Sequence, residues 1–260
     1  MPGLIMQKNT VNNPIDHLAG KTALVTGAAR RVGRTIVLTL VAHGARVIIH
    51  YRSSADAART LMQEVEQQGG HAELIQADLS DPQAAEALLP SVIEKYGPLD
   101  ILINNASIFE PQTLQETTEG HIQANMQIHA YAPLALSRAL ALQNRPGHIV
   151  NLLDSRVRDF DRQHVPYHLS KRALMSLTRM LAVELAPAIA VNAVAPGLIL
   201  PPKGEDPDYL TRLAHTNPLQ RHGDPEDVAE AILFLVQSRF ITGQIIYVDG
   251  GRHMKGHFYG

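Results

Sequence analysis

Apolar positions along the chain fall into two alternating periods. Short β-branched runs come first: TALVT (22–26), ARVIIHY (45–51), AELIQAD (72–78), LDILINN (99–105), GHIVNLL (147–153) and AVNAVAP (190–196), with a last run inside ITGQIIYVDGG (241–251). Between them lie longer stretches with helical spacing. RTIVLTLVAHG (34–44) stops at Gly44, and SADAARTLMQEVEQQGG (54–70) stops at its glycine pair. PQAAEALLPSVIEKYG (82–97) carries Pro82 in its first turn and takes Ser80 or Asp81 as its cap. Further helices are expected over about 118–143 and 166–186. Runs this short and this apolar suit strands buried on both faces, and the intervening helices supply the crossovers. Right-handed crossovers then wind the chain into a doubly wound α/β parallel sheet of about seven strands, with helices on both faces. No linker or repeat interrupts 20–250, so one domain over 20–260 is expected, after a polar, flexible lead-in over 1–19.

Composition narrows the function. The chain has 260 residues, 45% of them hydrophobic, which supports a large core. A net charge of −2 argues against a nucleic-acid partner or an anionic membrane surface. No apolar run approaches the ~20 residues of a membrane span. The start of the chain has neither a basic region nor an apolar stretch of signal length, so a cytoplasmic location is expected. Cysteine is absent and the 13 histidines are scattered, with no HExxH, so no metal is expected.

Ligands of such sheets bind beyond the carboxyl ends of the strands, and the candidate chemistry lies there. TGAARRVG (26–33) joins the first strand to the first helix. Gly27 allows a tight turn, Gly33 allows close helix–strand contact, and the N–H groups between them suit a pyrophosphate. The second strand ends Tyr51-Arg52-Ser53-Ser54, with no carboxylate for a ribose diol. A guanidinium there suits a 2′-phosphate, which favours NADPH over NADH; otherwise Arg52 is simply solvated. Tyr167 and Lys171 stand one helical turn apart, a phenol beside an ammonium.

These pieces, with ADLS (77–80), NNAS (104–107), YHLSK (167–171) and APGL (195–198), resemble the short-chain dehydrogenase/reductase family from about residue 20 to 253. The resemblance implies a Rossmann-type fold and NADPH/NADP+ as cofactor. It implies Tyr167 as the acid/base, Lys171 as the group that holds the ribose and lowers the tyrosine pKa, and Asn125 as support for a proton relay. The cofactor would lie along Gly27, Arg30, Arg31, Val32 and Gly33, then Tyr51 to Ser54. Asp78 and Leu79 would flank the adenine, with Asn105, Ala106 and Ser107 along the ribose. Pro196, Gly197 and Leu198 would close the far end.

Departures from the family pattern point to a subfamily. The family's middle glycine is Arg31 here, and its serine thirteen residues before the tyrosine is Asp154. With NNASIF, PGLIL and DGGRH these resemble the pteridine reductases and the bacterial dihydromonapterin/dihydrofolate reductases. That resemblance implies a pterin stacked between nicotinamide and Phe109, with Arg31, Ser107, Asp154 and Tyr167 around it. A carboxyl group suits a nitrogen heterocycle, because it accepts from ring N–H and amino groups when ionised and donates when protonated. Asp154 could instead be a turn residue, with Ser155 supplying the hydroxyl. Phe109 could be a core aromatic, and Arg31 could hold phosphate alone. The competing functions are a short-chain carbonyl reductase of another substrate class and a nucleotide-sensing protein without turnover. Residues 201–227 are expected to form a mobile substrate lid, and the helices at 118–143 and 166–186 to pair subunits into a homotetramer.

Overall fold

The computed structural model describes residues 17–258 except 160, 161, 203 and 207. Most of the expected lead-in, residues 1–16, lies outside the described residues; Leu18, within it, is buried and its N–H donates to His43 O at 2.9 Å. Seven strands make one sheet: β1 Thr22–Val25, β2 Arg46–Tyr51, β3 Ala72–Gln76, β4 Ile101–Asn104, β5 Gly147–Leu152, β6 Ile189–Pro196 and β7 Ile245–Val248. Their order is β3-β2-β1-β4-β5-β6-β7, and every pairing is parallel.

Alternation of side chains along the strands divides the core into two layers. Leu24 pairs with Ile48 and Leu102, Leu102 with Ile149, and Ile149 with Val191, a rung crossing five strands on one face. That face packs against α3 (Pro82–Tyr96), α5 (Ala132–Ala141) and α6 (Val165–Glu184). One residue further on, Val25, Ile49, Ile103 and Val150 form the opposite rung, against α1 (Arg31–Ala42), α2 (Ala55–Gln67) and α8 (Pro225–Gln237). Among the described residues no helix is long and apolar enough to cross a membrane.

Three elements differ from the sequence reading. The helix expected over 118–143 is broken into α4 (Glu119–Met126), a π segment at 127–131 and α5. Pro133 explains the break: it has no N–H for the His129 carbonyl four residues back, and its ring would crowd that carbonyl. Residues 201–227, expected as a mobile lid, carry a short helix α7 (Tyr209–Leu213) and the start of α8. A last helix, α9 (Arg252–Phe258), follows β7.

The direction in which successive strands are added reverses between β1 and β4, parallel neighbours although β2 and β3 come between them in sequence. That switch point opens a crevice at the carboxyl ends of both strands. The site is built there.

Candidate active site

A cleft of about 450 Å³ runs along the carboxyl ends of β1, β2 and β4. Gly27, Arg30, Arg31, Val32 and Gly33 line its floor, Tyr51, Arg52, Ser53 and Ser54 one end, Asp78 and Leu79 a side, and Asn105, Ala106, Ser107 and Phe109 the other end. Pro196, Gly197 and Leu198 do not line it; they end or follow β6.

The floor is set by close backbone approach. Gly27 has φ 61°, and a Cβ on it would stand 2.9 Å from Ala106 Cα. A Cβ on Gly33 would meet Gly27 O at 2.5 Å and Asn105 Nδ2 at 2.7 Å. Asn105 holds this turn: its Nδ2 donates to Thr26 O at 2.9 Å and Gly27 O at 3.0 Å. Thr26 Oγ1 in turn accepts from Asn105 N and Ala106 N. Gly27 N and Ala28 N are spent on His50, and the stretch from Ala29 to Gly33 lines a cleft with a guanidinium at one end, a fit for a phosphorylated dinucleotide. On the side wall Asp78 Oδ1 accepts from Ser80 N at 2.9 Å and Ser80 Oγ at 2.7 Å, which draws its carboxyl below the usual range.

Arg31 takes the left-handed conformation, φ 56°. That conformation costs a residue with a Cβ about 1–2 kcal/mol, and glycine would adopt it freely. Its guanidinium crosses the mouth of the cleft and donates to Pro201 O at 2.7 Å.

Beyond Phe109 lies the reactive pair. Tyr167 and Lys171 project from the first turns of α6, both buried. Tyr167 donates its hydroxyl proton to Asp154 Oδ2 at 3.1 Å. Asp154 Oδ1 accepts from Arg156 N at 2.7 Å, where Asp154 caps a 3-10 turn at 155–158. The residue that meets the phenol is therefore Asp154, as the thirteen-residue spacing implied. Lys171 Nζ donates to Leu152 O at 2.7 Å and lies 5.7 Å from the centre of the Tyr167 ring.

Electrostatics here departs from the family expectation. Burial, then the charge of Asp154 and the hydrogen bond to it, push the Tyr167 phenol well above its ordinary value. The Lys171 ammonium is turned to the Leu152 carbonyl, while the Tyr167 hydroxyl touches a carboxylate. Burial lowers Lys171 itself to about 8 against the opposing pull of Asp154.

Asn125 is not joined to this pair. Its Nδ2 donates to His121 O at 2.9 Å, one turn back in its own helix. The helical residue that does reach the pair is His129, edge-on to the Tyr167 ring with centroids 5.4 Å apart. Phe109 is half-exposed and packs edge-on to Tyr167 at 4.7 Å. His164 stacks on Phe109 at 3.9 Å. A backbone bridge carries this arrangement, Gln112 N donating to Gln163 O and Val165 N to Gln112 O. Neither His129 nor His164 belongs to any spaced motif, so no local pattern marks them.

A family model described as Enoyl-(Acyl carrier protein) reductase matches residues 27–253. The chain belongs to the short-chain dehydrogenase/reductase family. Bovine L-xylulose reductase is 36% identical over 245 residues, covering 90% of this chain and 97% of its own. The 3-oxoacyl-[acyl-carrier-protein] reductase FabG of Staphylococcus aureus is 32% identical over 243 residues, covering 90% and 98%. The structure of FolM alternative dihydrofolate reductase 1 from Brucella canis, complexed with NADP, superposes with TM-score 0.85 at 34% identity, covering 92% of this chain and 96% of that one. This short-chain reductase is an NADP-dependent oxidoreductase.

Proposed function

We propose that the protein reduces a pterin of the biopterin, monapterin or folate type with NADPH. The carrying observation is the Tyr167–Asp154 hydrogen bond beside the half-exposed ring of Phe109. A ketone has one oxygen to polarise, and two hydroxyls do that. A pterin has ring nitrogens to protonate and N–H groups seeking an acceptor, which a phenol and a carboxyl group serve together. The likeness to FolM supports the reading.

Bound NADPH supplies the hydride; the residues of the chain place the acceptor and move its proton. Arg52 and the serines after it hold the 2′-phosphate, and the turn from Gly27 to Gly33 holds the pyrophosphate. The ring of Phe109 offers one wall for a flat heterocycle. The raised phenol stays protonated across neutral pH, so Tyr167 serves as a donor. Asp154 passes it a replacement proton when protonated, or draws one from water when ionised. Ser107 and Arg31 stand at the rim, within reach of a ring that fills the space beside Phe109.

The relatives favour a second reading, reduction of a carbonyl in a sugar or 3-oxoacyl thioester. NADPH oxidation measured at roughly pH 4.5–8 with dihydrobiopterin, dihydromonapterin, dihydrofolate and an acetoacetyl thioester separates the two. Turnover with pterins, lost by about 100-fold or more in Asp154→Ser with NADPH binding intact, is the expected result. Turnover with the thioester alone, or an Asp154→Ser variant that reduces pterins as well as the parent, would transfer the protein to the carbonyl reductases. The same reading puts the enzyme in the cytoplasm as a homotetramer. Exposed apolar side chains support the assembly: Met180 and Val183 on α6, and Phe234 on α8.

A further inference from the structure

His129 lies in the π segment at 127–131, almost wholly buried. Its two ring nitrogens face partners whose roles are fixed. Ile108 N stands 3.3 Å from Nε2, and a backbone amide can only donate, so Nε2 carries no proton. The proton is therefore on Nδ1 and goes to Ser170 Oγ at 2.8 Å. Ser170 spends its own proton on Tyr167 O at 2.7 Å, which leaves it free to accept from the imidazole. With Nε2 bare, Ser107 Oγ at 2.8 Å has it as the nearer acceptor for its one proton, Ile108 O standing at 3.3 Å. Two independent constraints, one at each nitrogen, select the same neutral tautomer. Burial and the nearby Lys171 hold the ring well below its ordinary pKa, which keeps it neutral.

We propose that His129 is a positioning residue for the reductase site. It links the turn of α6 that carries Tyr167 to the loop that carries Ser107 and Phe109, and so fixes the distance between the proton donor and the opposite wall. The π segment makes this possible by opening the helix where Pro133 leaves the His129 carbonyl without its usual donor. The proposal rests on the reductase activity and on no particular acceptor. Misplacement of a wall by about 1 Å costs turnover even when every reacting group is present.

Two substitutions each keep one half of the link. In His129→Gln the amide oxygen stands near the position of Nε2 and retains Ser107 and Ile108. In His129→Asn the shorter amide retains Ser170 and falls short of the loop. Hydrogen exchange at the Ile108 amide reads the loop directly, with no substrate needed. Kinetics with NADPH and whichever acceptor turns over reads the consequence. The expected result is a glutamine variant within about threefold of the parent. The asparagine variant should have a faster-exchanging Ile108 amide and an acceptor KM raised about tenfold or more, while NADPH KM and Tm hold. Equal behaviour of the two variants would overturn the proposal, since simple packing predicts it. A long-range 1H–15N histidine spectrum of the unmodified protein needs no variant to fold: a protonated Nδ1 is expected, and a protonated Nε2 would also overturn the proposal. Absence of pterin turnover leaves the exchange and tautomer readouts untouched, so failure of the substrate reading is distinguishable from failure here.

Discussion

Gly27 donates its N–H to the bare Nδ1 of His50 at 3.0 Å, and His50 donates from Nε2 to Ala77 O at 3.2 Å. A second proton on this imidazole would set two donors against each other beneath the phosphate turn. Burial lowers His50 to about 4 from its ordinary 6.5. The sign follows from linkage: below pH 6.5 the unfolded chain binds a proton that the folded one refuses, so stability falls as pH drops from 6.5 toward 4. Full development of a shift of this size is worth about 3 kcal/mol. The matching Tm change is roughly 6–12 °C for a chain of this class. Thermal melts of the parent and His50→Gln across that window should converge toward acid, because only the parent carries the slope; parallel Tm curves would show that His50 is not the group responsible. Residues of this kind were hidden in the sequence. Tyr167 and Lys171 were legible because four residues make one helical turn, and Asp154 because a fixed spacing points at it. His50 and His129 act through burial and through partners far away in sequence, and nothing local marks them. Asn125 has its Nδ2 tied to His121 O one turn back, while its Oδ1 is buried without a hydrogen-bond partner among the described residues.

Helix α8 begins with a cap between Asp224 and Asp227: Asp227 N donates to Asp224 O at 3.1 Å, and Asp224 N donates to Asp227 Oδ2 at 2.8 Å. Pro225 follows in the first turn, where its missing N–H is not needed. Asp227→Ala removes the side-chain half of this cap, and a cap of this kind is worth about 1 kcal/mol. The expected loss is roughly 2–4 °C in Tm with little change in NADPH binding, measured by calorimetry with and without cofactor; an unchanged Tm would mean that packing against α1 alone sets the end of α8. Sequence signals for this element existed, in Asp-Pro-Glu-Asp before VAEAILFLV, but they sit in a polar stretch that reads as loop. The strands were legible because parallel strands buried on both faces are apolar at nearly every position, and that pattern has few other causes. The break between α4 and α5 was not. Apolar spacing reports a period, and one widened turn shifts its phase without erasing it. Pro133 was the only local mark, and proline in an apolar helix also fits a simple kink.

Across the whole molecule, apolar side chains remain uncovered on both layers of the sandwich. One set, Leu169, Met180 and Val183 on α6 with Ile122 on α4, lies on the layer of α3, α5 and α6. It borders a shallow groove lined by Met126, Ala130, Tyr131, Leu134 and Leu177. Phe234 on α8 lies on the opposite layer, and Phe240 stands fully exposed just beyond that helix. In the proposed tetramer each patch would meet its own copy across a two-fold, and two perpendicular two-folds close at four copies. Light scattering coupled to size exclusion should therefore give a four-chain mass for the parent. Paired Met180→Glu and Val183→Glu changes would bring four like charges, two from each copy, to one two-fold and should leave a two-chain mass, with the other patch still closed. Phe234→Glu should do the same from the other side, and all three changes together should yield single chains. The α6 face carries consequences for the site as well, because Tyr167 and Lys171 lie on that helix. A dimer that retains NADPH binding but loses turnover would mean that the partner's helix helps hold the pair in register. A dimer of full activity would confine the site to one chain. A parent of single-chain mass would sink the tetramer and leave both patches without the partner assigned to them here.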